Sequence, residues 1–276
     1  MHIAFYSNAR GVSGTTSNLS CIGIYLALQY SKRILMWENH LSINNIASNF
    51  EKRNLHDRIC EEQYRYFPMG MNTLLSHYQA NLTYKNMIGQ ASKNIWSDLL
   101  LYLPIVQERE EIFERDLCQV LDPLLEEMGE GRDIVLIDTV DMRKESTQKI
   151  LEAADVIVVN LGQDMNVIEN YFQSHKLLIS KTVFLIGNYH LNSRINLKNI
   201  SRKYHINRNQ IAVIPYNIEF QEALSYGRVV EFMIRNRECH SGDYNYIFMR
   251  EVQKAASMIL YTMERLKEGR CDDCFV

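Results

Sequence analysis

Short apolar runs rich in β-branched or aromatic residues recur along the chain, and the stretches between them carry apolar residues at helical spacing. The runs are Ile3 to Tyr6, Ile34 to Trp37, Leu99 to Val106, Ile134 to Ile137, Val156 to Val159, Val183 to Ile186 and Ile211 to Ile214. A strand that is apolar along its whole length suits a sheet covered on both faces. Between the first two runs, Leu19, Ile22, Gly23, Leu26, Ala27 and Tyr30 form one helical stripe, which makes a βαβ unit. Similar helical patterns cover Glu111 to Met128, Lys144 to Ala153, Met165 to Leu178, Leu197 to Tyr204 and Val252 to Leu266. This alternation predicts an α/β fold with a doubly wound, mostly parallel sheet and helices on both faces, a three-layer αβα arrangement. The segment from Glu51 to Asn94 is the least regular and is expected to form helices and loops outside the sheet core. With no internal repeat and no Pro- or Gly-rich linker, the chain reads as a single domain over residues 1–276, ending in a C-terminal helix and tail from residue 252.

The apolar fraction of 46% is enough to bury a sizeable core. A formal net charge of -3, from 30 basic and 33 acidic residues well mixed, leaves no electrostatic footprint for nucleic-acid backbone, so direct nucleic-acid binding is not expected. Arg10 followed by Leu19 to Tyr30 has the outline of a secretion signal, but no small-residue cleavage site follows, and Ser31, Lys32 and Arg33 lead straight into the next strand. Six scattered cysteines then suggest reduced thiols and a cytoplasmic protein.

In a doubly wound sheet, ligands bind beyond the carboxyl ends of the strands. The first such stretch, "SNARGVSGTTSN" (residues 7–18), fails the P-loop pattern G-x-x-x-x-G-K-[ST], because Asn8, Ser13 and Gly14 stand where Gly, Gly and Lys are demanded. The setting of strand, small-residue loop, hydroxyl pair and amphipathic helix still directs backbone N–H groups at one spot, which favours an anion. The competing expectation is that Thr16, Ser17 or Asn18 merely caps the helix.

Several segments together resemble the MinD and ParA group of P-loop ATPases, and more narrowly the TadZ and CpaE type of pilus localisation factors. The loop is similar to that group's K-G-G-V-G-K-T-T when Ala9-Arg10-Gly11-Val12-Ser13-Gly14-Thr15-Thr16 is set against it, so that Ala9 and Gly14 replace two lysines and the Walker A motif is degenerate. "RILMWENHLSINNI" resembles the group's second strand, with Glu38 and His40 where two aspartates are usual. "DIVLIDTVD", "LEAADVIVVNLGQD", "IGNYHLNS" and "IAVIPYNIEFQEALSYGRVV" resemble later segments in the same order, so the likeness runs from Met1 to about Met233. It implies ATP and magnesium as cofactors. The amides of Gly11, Val12, Ser13, Gly14, Thr15 and Thr16 would hold phosphates, Thr15 and Asp138 would stand on the magnesium side, and Asn188, Pro215 and Tyr216 would flank an adenine. It also implies a homodimer, protein partners in a localisation or secretion apparatus, and membrane contact at most through them.

With both lysines missing, hydrolysis is expected to be slow or absent, since phosphoryl transfer depends on positioned positive charge. Arg10 is a partial substitute, and no catalytic residue stands out: His40 and Glu38 only mark the group's acidic positions. At the end of the chain, "CDDC" (Cys271, Cys274) has the spacing of half a metal site, which a dimer could complete for an iron–sulfur carrier of the same fold. The last helix is amphipathic but carries Glu251, Glu264 and Glu268 among its basic residues, so packing on the chain's own sheet is the expectation.

Overall fold

The structure is a computed structural model, and it describes residues 1–51, 70–82, 86–105, 109–174 and 179–269. The strands are β1 (His2–Tyr6), β2 (Ile34–Glu38), β3 (Lys93–Trp96), β4 (Leu100–Tyr102), β5 (Ile134–Asp138), β6 (Val156–Leu161), β7 (Thr182–Tyr189) and β8 (Ile211–Pro215). They form one eight-stranded sheet in the order β3-β4-β2-β5-β1-β6-β7-β8, parallel throughout except for the antiparallel edge pair β3 and β4. The chain winds outward from β1 to β2 on one side and continues through β6, β7 and β8 on the other, so β1 lies at the reversal of winding.

The helices are α1 (Thr15–Tyr30), α2 (Ile46–Phe50), α3 (Met71–Gln79), α4 (Met87–Ala91), α5 (Glu110–Gly129), α6 (Glu145–Ala153), α7 (Met165–Ser174), α8 (Leu197–Lys203), α9 (Ile218–Ser225), α10 (Val229–Arg235) and α11 (Tyr246–Lys267). The period-two alternation of side chains sorts the core into two layers. Ile3, Phe5, Ile34, Met36 and Leu136 face α1, α10 and α11, while Ala4, Tyr6, Leu35, Trp37 and Ile137 face α3, α5 and α6.

Most predicted elements form where the apolar periodicity puts them, with ends moved by a few residues. Three departures have physical reasons. The run Leu99 to Val106, whose last residue lies outside the described residues, is strand over Leu100–Tyr102 and leaves the sheet by Pro104, where the backbone turns away to accept from Met71 N–H. Edge strand β3 begins in the segment Glu51 to Asn94 expected to lie outside the sheet, of which residues 52–69 and 83–85 lie outside the described residues; Lys93 and Asn94 are exposed and Ile95 and Trp96 half-buried, so the strand lacks an apolar run. Helices α9 and α10 were not anticipated, although Asn217 caps α9 by accepting from Phe220 N–H. On the last helix the apolar face expected from Val252, Ala256, Ile259, Met263 and Leu266 packs on the core shared with α1 and β8, the first four buried and Leu266 half-buried. Among the described residues, no helix is long and apolar enough to cross a membrane. Cys271 and Cys274 lie outside the described residues.

Helix α6 ends in an unusual cap. Lys181 Nζ donates to the carbonyl oxygens of Leu151, Glu152 and Ala154, each at 2.9 Å, and thereby satisfies carbonyls that have no partner within the helix. Lys181→Met should lower stability by about 1–2 kcal/mol, read as a lower urea midpoint at unchanged slope.

Candidate functional site

Strands β1, β2 and β5 end in register: Phe5 pairs with Asp138, and Glu38 pairs with Asp138. The residues that follow are therefore delivered to one place. The chain leaves β1, passes through residues 7–14 and enters α1 directly, with Gly14 at the N-cap in a left-handed conformation (φ 67°). Gly11 has φ 85° and open space where a side chain would stand.

No side chain caps α1. The hydroxyls and amides expected to do so are used elsewhere. Ser17 Oγ donates to Gly14 O, Asn18 Nδ2 donates to Ser13 O and Asn160 Oδ1, and Thr16 Oγ1 donates to Asp138 Oδ2 at 2.6 Å. The N–H groups of the first turn of α1 are thus left pointing at the loop, where the helix dipole favours negative charge.

The loop itself is clamped from the side. Ser13 is buried, its hydroxyl donates to Ser7 Oγ at 2.8 Å, and Thr15 Oγ1 lies 3.0 Å from Ser13 Oγ. Asn188 has a left-handed backbone (φ 48°), its Nδ2 donates to Val12 O, and Gln221 Nε2 donates to its Oδ1. Asn188 therefore holds the loop's backbone. Pro215 ends β8, and Tyr216 is largely exposed and stacked on His190, with ring centroids 5.4 Å apart. Gly187 lies so close to the loop that a Cβ there would stand 1.9 Å from Ser13 O.

The hydroxyl that faces Asp138 is that of Thr16. The sequence register expects Thr15 there, but Thr15 opens the helix turned into the loop against Ser13, and one residue's advance, about 100° of helical rotation, brings Thr16 to the acid. Asp138 is fully buried and its Oδ2 draws three donors: Thr16, His40 Nε2 at 3.0 Å and Arg10 Nη2 at 3.4 Å. Arg10 also donates from Nη1 to Thr139 O at 2.6 Å. Burial works to raise the Asp138 carboxyl, but His40, Arg10 and Thr16 outweigh it and hold the group below its ordinary range. Its other oxygen, Oδ1, has no hydrogen-bond partner and no accessible surface.

His40, in the loop after β2, is buried, and both ring nitrogens have partners. Ser42 N–H donates to Nδ1 at 3.3 Å, and Nε2 lies 3.0 Å from Asp138 Oδ2 and 2.8 Å from Arg10 Nη2. Glu38 is engaged as well: Oε2 accepts from Ile46 N–H at 2.9 Å and Oε1 from Tyr102 Oη at 2.8 Å. Burial, countered in part by His40 and the Ile46 N–H, pushes Glu38 up to about 7. Asn18, expected at most to cap the helix, instead donates to Asn160 Oδ1 and locks α1 to β6; a buried amide pair far apart in the chain leaves no local signal.

Two consequences can be measured. Because Glu38 titrates at about 7 in the fold and near 4.5 unfolded, the native state binds the extra proton between these values, and stability falls as pH rises through that window. Glu38→Gln, whose amide oxygen can accept from Ile46 N–H while its amide nitrogen donates to Tyr102 Oη, should abolish this slope and stabilise the protein at pH 8 by up to about 3 kcal/mol. Gly187→Ala should destabilise by at least about 1–3 kcal/mol, because the obstructing atom is a backbone carbonyl that cannot rotate away.

No family model matches the chain, and no curated protein matches it in sequence. Solved structures do share its architecture. The ParA family ATPase from Chlorobium tepidum TLS superposes with a TM-score of 0.67 at 12% identity, over 93% of this chain and 98% of that one. The septum site-determining protein MinD complexed with Mg-ADP from Pyrococcus horikoshii OT3 gives 0.64 at 14% identity, over 94% and 95%. The putative plasmid partition protein from Borrelia burgdorferi B31 bound to AMPPNP gives 0.58 at 12% identity, over 94% and 98%. The chain has the fold of the MinD and ParA P-loop ATPases.

Proposed function

We propose that the chain binds ATP by its phosphates at the loop from Arg10 to Thr16, hydrolyses it slowly or not at all, and acts as a homodimeric localisation or assembly factor. The observation that carries the nucleotide reading is the uncapped start of α1, entered through two left-handed glycines at the carboxyl end of the central strand. Two proteins of the same fold carry nucleotides in their structures, AMPPNP in one and Mg-ADP in the other. The pilus or secretion role rests on the likeness to TadZ and CpaE, and the homodimer on the MinD and ParA resemblance.

Moving the loop by one residue against K-G-G-V-G-K-T-T, as the Thr16–Asp138 contact suggests, puts Arg10 at the first lysine and Thr15 at the second. A guanidinium then takes over one cationic role, while the lysine nearest the helix is lost. Slow hydrolysis has a further support: both ring nitrogens of His40 and both oxygens of Glu38 are occupied, so neither side chain is free to orient an attacking water. In this reading Asn188 and Gln221 hold the loop, and Tyr216, stacked on His190, offers the aromatic face on which a base would lie.

A magnesium ion would draw charge from the phosphate oxygens, and Thr16 and Asp138 are the residues that would hold it. They do not fit it as they stand. Their oxygens are 2.6 Å apart and hydrogen-bonded to each other, and the Arg10 guanidinium already lies on both.

ATP at a hundred times its Kd should stabilise the protein by about 2.7 kcal/mol and raise Tm by a few degrees in a thermal melt. Gly14→Val should lose that shift, since the added side chain meets Ser17, Asn18 and Asn188 at a left-handed residue. An unchanged melt with ATP or ADP, together with an unchanged mass by light scattering, would favour a nucleotide-free interaction module instead.

A further inference from the structure

We propose that Arg10 takes the place of the divalent cation, so that this site takes a nucleotide's phosphates without magnesium. The inference rests on the nucleotide-binding reading above and specifies its cofactor requirement. Three observations carry it.

First, the guanidinium occupies the space a cation would need. Its Nη2 is 2.8 Å from His40 Nε2, 3.4 Å from Thr16 Oγ1 and 3.4 Å from Asp138 Oδ2, and Nη1 anchors it on Thr139 O at 2.6 Å. A magnesium ion requires oxygens at about 2.0–2.1 Å in near-octahedral geometry, which this pair cannot supply while Arg10 remains. Second, the buried carboxylate is already neutralised and saturated on the side facing the loop. Oδ2 lies within hydrogen-bond distance of Thr16, His40 and Arg10, and Oδ1, though without a partner, has no accessible surface; Glu38 and His40 bring ligand atoms within 4.8 Å of the acid, but both Glu38 oxygens already accept from Ile46 N–H and Tyr102 Oη. Third, Arg10 is held but not enclosed. Its side chain is 23% exposed beside the open backbone of Gly11, so the guanidinium faces both the acid and the uncapped turn of α1. A planar fork of N–H donors can bridge a carboxylate and a phosphate at once, which a point charge on a lysine does less well.

The test measures ATP and ADP binding by calorimetry in millimolar Mg2+ and in EDTA. The wild-type protein should bind each nucleotide equally within about threefold in the two buffers. Arg10→Ala should weaken binding in EDTA by at least about tenfold and make it depend on magnesium, while Arg10→Lys, which keeps the charge if the alanine variant does not fold, should recover part of the loss. Loss of wild-type binding in EDTA, or equal binding by Arg10→Ala there, overturns the proposal. Absence of binding in both buffers sinks the nucleotide reading itself, and this proposal with it. A second measurement needs no nucleotide: wild-type protein should leave the electron paramagnetic resonance spectrum of aqueous Mn2+ unchanged. Mn2+ binding by the wild type that disappears in Asp138→Asn would overturn the assignment on its own.

Discussion

A negative charge on Asp138, at the end of a fully buried strand, is the constraint on which the rest of the site depends. A carboxylate with no exposed surface is stable in ionised form only when donors and an opposite charge surround it. Thr16, His40 and Arg10 meet that demand from three different segments, and each is fixed in turn by a neighbour. Ser42 orients the His40 ring, Thr139 O anchors the guanidinium, and the first turn of α1 carries Thr16. Removing one partner would leave a buried charge partly unmatched, at a cost on the order of 3–5 kcal/mol for pairs of this kind. The geometry of the loop and the ionisation of the acid are therefore one arrangement.

That arrangement is what the proposed phosphate binding would draw on in a loop without lysine. The attraction comes from the helix start and from two glycines that let the backbone turn, with a single arginine placed between the acid and the loop. What has gone is the freedom of the surrounding groups to move protons. Glu38 and His40 stand at the ends of buried strands with their polar atoms committed to Ile46, Tyr102, Ser42 and Asp138. A site in which every titratable group already has a partner is suited to holding a ligand in one state and poorly suited to turning it over.

Much of the fold was legible from periodicity. Strands such as Val156–Leu161 and Ile134–Asp138 are apolar on both faces because they are central, and that signature survives without any knowledge of partners. Edge strand β3 was not legible, because an exposed strand has no such signature, and α9 and α10 follow a strand end that reads as loop. At the site, the strand-end rule pointed to residues 7–18, Arg10 among them, and the family resemblance to Glu38, His40 and Asp138. It could not tell which threonine faces the acid, since consecutive positions at a helix start differ only in rotation, nor that Asn188 clasps the loop through Val12 O.

By itself the sequence determined the layered α/β architecture and the position of a glycine-bearing loop at the end of the first strand, because both follow from local patterning of apolar residues and from backbone freedom. Only the tertiary structure decided what that loop is bonded to. Arg10, Thr16, His40 and Asp138 are separated by up to 128 residues in the chain, and their meeting depends on the parallel register of β1, β2 and β5. The polarity of the site, and the place of an arginine beside its one buried acid, arise from that register and from the energetic demand of that charge.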